Sequence, residues 1–231
     1  MSGDLSPYLG VGIYGVAEAA RLTDVRAQRI RRWLEGYTFS CAGKLHASPP
    51  VWRRQLPDVD GTLALGFLDL IEVRFVDAFR RHGVTWRTIR RAAERARVLF
   101  DNEHPFCTES FQTDGRSIFA EVIDETGETS LIDVVKSQYA FKRMLQPYLY
   151  IGLEFQADQL VRWWPLGMRR RVVIDPRRAF GQPIVAKEGV PTAILAGAVQ
   201  LEQSVAEVAD WYEVDPRSVR DAVEFEEKLA A

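Results

Sequence analysis

The sequence predicts an α+β chain with three parts: a helical, winged helix-turn-helix unit at the N-terminus, a small β-rich middle module, and a trihelical, helix-turn-helix-like end. Three observations carry this expectation. Between Tyr14 and Tyr37 a small-residue helix, a tight turn and an arginine-loaded second helix follow one another. After about His104 the apolar spacing shifts from the helical period of 3.6 toward the strand period of two. Past Pro176 the helical period returns, with helix-start signals at Ser204 and at Asp215-Pro216. The expected units are therefore 1–100, 101–175 and 176–231.

In the first unit, Gly10, Gly12 and Gly15 match G-x-G-x-x-G, the spacing of a dinucleotide-binding turn. Such a turn needs a hydrophobic strand before it and a βαβ unit around it. The preceding residues, MSGDLSPYL, do not read as that strand, so a lead-in to the helical pair is expected instead. Ala17, Ala19 and Ala20 make a helix that another helix can cross closely. Thr23-Asp24-Val25 is the turn, and Asp24 is a residue type that tolerates left-handed backbone. Ala27, Ile30 and Leu34 then share one face, with Trp33 on its shoulder. Arg26, Gln28, Arg29 and Arg32 are left to face outward. Arginine reads guanine edges, glutamine reads adenine, and neighbouring cations hold phosphates, so this helix is expected to read DNA in a major groove.

The segment Tyr37–Pro57 is expected to form the wing, with extended pieces near Tyr37–Cys41 and Val51–Arg53. Lys44, Arg53 and Arg54 would lie along phosphates, with His46 nearby. Trp52 either packs beneath the wing, the commoner outcome, or wedges against the sugar edge. A long apolar-striped helix is expected over Leu63–Arg81, stopped by His82-Gly83. Thr85 should cap a further helix, Trp86–Phe100. In the middle module Phe106–Thr113 and Ser117–Ile123 read as strands joined by Asp114-Gly115. Leu131–Val135 is a short extended piece, Tyr139–Tyr150 is aromatic-rich, and Ile151–Phe155, Leu160–Trp163 and Arg171–Asp175 read as a second set of strands. The last unit should hold helices at Thr192–Leu201, Val205–Tyr212 and Arg217–Leu229.

Charge is unevenly placed. Residues 1–100 hold 16 Lys+Arg against 10 Asp+Glu, whereas residues 101–231 hold 14 against 22. A basic front is expected to meet a polyanion and an acidic rear something else. Asp221, Glu224, Glu226 and Glu227 make the last helix unsuited to DNA, and the trihelical end reads as a protein-contact module. Two cysteines, Cys41 and Cys107, suit a reducing compartment. No apolar run approaches a membrane span and no leader pattern is visible, so a cytoplasmic protein without membrane contact is expected. His104 and Cys107 form an H-x-x-C that Cys41 and His46 could complete, but structural zinc shows two tight pairs, so no metal and no cofactor are expected. No nucleophile motif or P-loop lysine is present, and no enzymatic activity is expected.

Particular stretches carry a resemblance. EAARLTDV, IRRWLEGY, FLDLIEVRFVDAFRRHGV and TWRTIRRAAE are similar to the winged helix-turn-helix of MerR-type regulators, with Asp24 where that family usually has glycine. Residues 172–226 resemble a small domain of unknown function found in bacterial antitoxins, with its Gly181–Val185 loop, its Gly189–Thr192 turn and Ser-x-x-Glu-Val-Ala from Ser204. The pair in this order resembles a VapB-type antitoxin. That resemblance implies repression of its own operon through operator DNA and inhibition of a PIN-like ribonuclease toxin, as a homodimer or a toxin–antitoxin hetero-oligomer. Trp163, Trp164, Arg177 and Arg178 are the expected toxin contacts, because aromatics beside arginine anchor interfaces. The alternative is a MerR-type transcription regulator that senses a small molecule through the middle module.

Overall fold

A computed structural model describes residues 8–126 and 149–230, which divide between two units. The N-terminal unit comprises Tyr14–Tyr150 with Ala157–Leu160, and the C-terminal unit comprises Met1–Ile13, Ile151–Gln156 and Val161–Ala231. No helix among the described residues is long and apolar enough to cross a membrane.

The N-terminal unit opens with β1 (Tyr14–Gly15), which pairs antiparallel with β4 (Ala64–Leu65) and leads into α1 (Val16–Thr23). Asp24 ends α1 at φ 55°, ψ 35°, the left-handed region that short polar side chains enter at least cost. Its turn delivers Val25, fully buried, at the start of α2 (Ala27–Glu35). Ile30, Trp33 and Leu34 bury one face of α2, as their spacing requires. The long helix α3 runs over Phe67–Arg81, beginning later than expected because Ala64–Leu65 is taken by β4. Asp69 closes its first turn by accepting from Gly66 N at 2.9 Å. Thr85 Oγ1 accepts from Thr88 N at 3.3 Å and caps α4 (Trp86–Phe100), which has the expected bounds.

Two expected strands do not form. Residues Glu109–Thr126 are a single helix, α5, where Phe106–Thr113 and Ser117–Ile123 were expected to pair across Asp114-Gly115. Phe111, Ile118, Phe119 and Val122 are buried at helical spacing. Their rings join Phe75, Phe79 and Phe106 in one aromatic core, with Phe106 and Phe111 centroids 4.8 Å apart and Phe79 and Phe119 5.0 Å apart. Gly115 serves that core and not a turn. A Cβ there would lie 3.0 Å from the Phe111 ring, so glycine leaves room for the ring one helical turn earlier. Thr108 Oγ1 accepts from Phe111 N at 3.1 Å and fixes the helix start. The expected strand at Leu131–Val135, and the aromatic stretch Tyr139–Tyr150 up to its last two residues, lie outside the described residues. Tyr150 itself is buried edge-on to Phe75.

Val51–Arg53 is likewise not a strand. β2 (Tyr37–Cys41) pairs instead with β3 (Lys44–Ser48) in a hairpin whose two-residue turn, Ala42-Gly43, holds both residues at positive φ. Val51 N donates to Trp33 O at 2.8 Å, and Trp52 is buried with Nε1 donating to Asp69 Oδ1 at 2.9 Å. The segment after the hairpin therefore docks on the helices, and Trp52 belongs to the core.

The C-terminal unit is built on β5 (Leu153–Gln156), β6 (Gln159–Trp163), β7 (Val172–Ile174) and β8 (Pro183–Val185), in that order across one sheet. The pairs β6–β7 and β7–β8 are antiparallel. The fourth strand lies past the expected boundary at 175, so this sheet continues into the helical end. Helices α6 (Thr192–Glu202), α7 (Val205–Trp211) and α8 (Pro216–Ala230) follow. Val185, Leu195, Val208, Val214, Val219 and Ala222 form their shared core. Three of the acids of α8, Asp221, Glu224 and Glu226, are held by partners, while Glu227 is exposed. Arg170 bridges Asp221, at 2.9 Å, and Glu224, while Glu226 accepts from the Thr192 hydroxyl.

Candidate nucleic-acid interface

Because Ile30, Trp33 and Leu34 face the core, α2 is left to present Gln28, Arg29, Arg31 and Arg32 outward, with Arg26 exposed at its N-cap. The outward face carries no acid before Glu35. Within it the arginines differ. Arg29 lies 3.5 Å from the buried carboxylate of Asp77, which Arg81 also holds at 2.5 Å. Arg81 reaches Asp24 in the turn at 3.4 Å, and the carboxylates of Asp77 and Asp24 push its pKa further up. These contacts tie the turn and the first part of α2 to the end of α3. Arg32 lies 5.2 Å from the centroid of the Tyr37 ring, a cation–π distance. Arg31 is exposed beside it and was missed in the sequence, where the outward positions of α2 were sorted by periodicity alone.

Next in the chain, the β2–β3 hairpin is exposed along almost its full length. Phe39 and His46 stack across it with centroids 5.4 Å apart, and Leu45 is 77% exposed. A hairpin this bare is not held by a core of its own. Arg90 of α4 anchors its base by donating to Ser48 Oγ at 2.9 Å and to Pro49 O at 2.7 Å. Gly36 turns the chain from α2 into the hairpin at φ 75°, where a Cβ would lie 2.5 Å from Ser48 O. Lys44 stands exposed beside the hairpin turn. Arg53 is exposed on the following loop, whereas Arg54 is half-buried and pairs with Asp58 at 2.7 Å. Arg54 is thus drawn into the fold and away from the face it was expected to share with Lys44.

Against the loop that follows the hairpin lies a group of buried polar side chains. Asp69 accepts from Trp52 Nε1, Gln55 N and Gly66 N, yet burial still pushes its pKa up to about 6. Burial raises Glu72 well above the carboxylate range and lowers His104 to about 4. These groups hold loops together. Among the described residues no cluster of three or more His, Cys, Asp or Glu side chains could take a metal.

In the C-terminal unit, Trp163 is buried at the end of β6, opposite Ile174 of β7, and is not an exposed anchor. Trp164 is half-buried with Nε1 donating to Glu154 at 2.9 Å. Arg178 is committed to Ala186 O at 2.5 Å, and Arg177 alone of the four is exposed. Other large apolar groups are open here: Leu201 at 82%, Trp211 at 62% and Ile194 at 47%. The sequence did signal them, since α6 is apolar on all sides, a pattern of helices covered on more than one face.

An exposed basic helix entered by a tight turn, with a bare cationic hairpin after it, defines a DNA-binding protein of the helix-turn-helix class. The family described as "Putative DNA-binding HTH domain" matches residues 12–93, and the "Protein of unknown function (DUF433)" family matches residues 172–225. A curated relative from Mycobacterium tuberculosis, "Putative antitoxin VapB45", is 31% identical over 239 residues, covering 97% of this chain and 98% of its own. The crystal structure of Rv2018 from the same organism is similar with a TM-score of 0.70 at 28% identity, over 93% of this chain and 99% of that one. The chain belongs to this VapB-type antitoxin family.

Proposed function

We propose that the protein is the antitoxin of a type II toxin–antitoxin pair, which binds and inhibits a PIN-like ribonuclease toxin and represses its own operon. The observation that carries the DNA half is the set of exposed cations on α2 and its N-cap, Arg26, Arg29, Arg31 and Arg32, with Gln28 among them and no acid before Glu35. In this reading Gln28, Arg31 and Arg32 meet base edges and phosphates, and Arg29 shares its charge between DNA and Asp77. The β2–β3 hairpin acts as the wing, laying Lys44 along the backbone, with Arg53 beside it. A homodimer would place two such helices on paired half-sites. The toxin half is supported by the relative's name and by the acidic C-terminal unit with its open apolar side chains. Arg177 is the contact retained from the expected set, as its guanidinium is free to enter a carboxylate-lined nuclease site.

The test has two arms. Gel shift with the DNA upstream of the gene, at fixed salt, should show a discrete complex that Arg32→Ala weakens. Ribonuclease activity of the co-encoded protein should disappear when this chain is added. Nuclease activity unaffected by a stoichiometric amount of this chain would overturn the antitoxin reading.

A further inference from the structure

Between the loop after the hairpin and helices α3 and α4 lies a cavity of about 200 Å³. Its walls include the apolar surfaces of Val51, Trp52, Ala93 and Phe106. Two polar atoms of residues lining it have no hydrogen-bond partner, although the Glu72 carboxyl also meets the Cys107 thiol. Glu72 is 1% exposed, and its Oε1 accepts from Phe106 N at 3.1 Å while its Oε2 has no hydrogen-bond partner. The Nε of Arg90 is buried and also unpartnered, although the other end of that guanidinium is committed to the hairpin base. Orphaned buried groups of this kind are uncommon and ask for an explanation.

The charges around the cavity decide what would fit. Arg97 is cancelled by Glu94 at 2.7 Å and Glu103 at 3.3 Å. Arg53 and Arg90 have no carboxylate partner among the described residues, so with Glu72 neutral the lining sets three arginines against the carboxylates of Glu94 and Glu103, a balance of +1. Burial favours the neutral acid at Glu72, which can then donate a hydrogen bond, as the Arg90 Nε–H can. The lining thus combines donors and cations with apolar side chains. Its volume lies below the roughly 300–1,000 Å³ of drug-sized sites, which limits the occupant to a small metabolite.

We infer that this cavity binds a small organic carboxylate with an apolar tail, its carboxylate oxygens meeting Glu72, Arg90 and Arg53 and its tail lying against Trp52 and Phe106. The inference is independent of the DNA and toxin readings, since it concerns the free protein. Calorimetric titration of the full chain with benzoate and with butyrate tests it, with benzamide and butylamine as uncharged and cationic counterparts. Binding of at least one carboxylate is expected, at least tenfold tighter than its counterpart. Arg53→Ala, at an exposed position, should weaken it severalfold, and Ala93→Leu, which fills the cavity, should abolish it in protein that still melts cooperatively. Absence of binding by both carboxylates, or binding undiminished in Arg53→Ala, would overturn the assignment.

Discussion

The chain builds the same turn twice and surrounds it with opposite charge. Between α1 and α2, Asp24 sits at φ 55° and the next residue, Val25, returns its N–H to Ala20 O at 3.3 Å. Between α7 and α8, Glu213 sits at φ 52° and the next residue, Val214, returns its N–H to Ala209 O at 2.9 Å. Both valines are buried and both turns launch a helix that packs on the one before it. The helix after the first turn shows arginines to solvent. The helix after the second shows Arg217 and Arg220 among the exposed acids Glu207, Asp210, Glu213 and Asp215 of α7 and the turn, and spends Asp221, Glu224 and Glu226 on Arg170, Lys228 and Thr192. Backbone geometry therefore does not distinguish a DNA reader from a protein-contact module. The outward side chains do.

The largest expected effect comes from erasing that difference. Arg31→Glu with Arg32→Glu should lower operator affinity by about 2–6 kcal/mol, taking about 1–3 kcal/mol per contact. The matching pair on α8, Arg217→Glu with Arg220→Glu, should leave it within a few-fold. Fluorescence anisotropy at one salt concentration measures both, and equal losses would end the functional contrast between the two turns.

A second contrast concerns how each unit holds its buried carboxylate. Asp69 is enclosed with three N–H donors and a pKa of about 6, above its ordinary 3.8, because burial outweighs the hydrogen bonds. The folded state thus holds this proton more tightly than the unfolded chain does. The associated stability is full below about pH 3.8 and is lost as the pH rises through about 6, on the order of 3 kcal/mol for a shift of this size. Asp69→Asn should cost about 2 kcal/mol at low pH through a mismatched donor and should flatten that slope. Urea denaturation at pH 4, 5 and 6 measures it, and an unchanged slope would move the titration to another group. In the other unit Asp221 has a guanidinium beside it. Arg170→Ala should cost about 2 kcal/mol, less than a fully enclosed pair because Arg170 is partly exposed. Denaturation of that variant at pH 7 checks the value.

Local signals made much of this fold legible. Thr85 and Pro216 fixed helix starts, Asp24 fixed the first turn, and the apolar face of α2 left its arginines no direction but outward. What stayed hidden depends on partners far along the chain. Asp114-Gly115 is a strong local hairpin signal, but the buried Phe111, Ile118, Phe119, Val122 and Ile123 outweigh it, and their partners include Phe75 and Phe79, far back on α3. Arg29 cannot be sorted from Arg31 without knowing that Asp77 lies beneath it. Trp163 was offered as an interface anchor because tryptophan beside arginine has that meaning at a surface. Its burial follows from the pairing of β6 with β7, which sets it opposite Ile174, and that partner is not visible from the local sequence.

The smallest effect tests the equivalence of the two turns themselves. A non-glycine residue in left-handed backbone carries a penalty of roughly 1 kcal/mol that glycine relieves. Glu213 is exposed, so Glu213→Gly should stabilise the C-terminal unit by about 0.5–1 kcal/mol. Asp24 has the same backbone but also meets Arg81, both through its carboxylate at 3.4 Å and through its carbonyl at 3.3 Å. Asp24→Gly keeps the carbonyl contact and gives up the ion pair, which at this exposure is worth well under 1 kcal/mol. Its net gain should therefore be smaller than that of Glu213→Gly, and high salt, by screening the ion pair, should bring the two gains together. Thermal melts of both variants at low and high salt decide the matter. A loss of stability at Glu213 would mean that its side chain does structural work that Asp24 does not, and the two turns would then be alike in outline only.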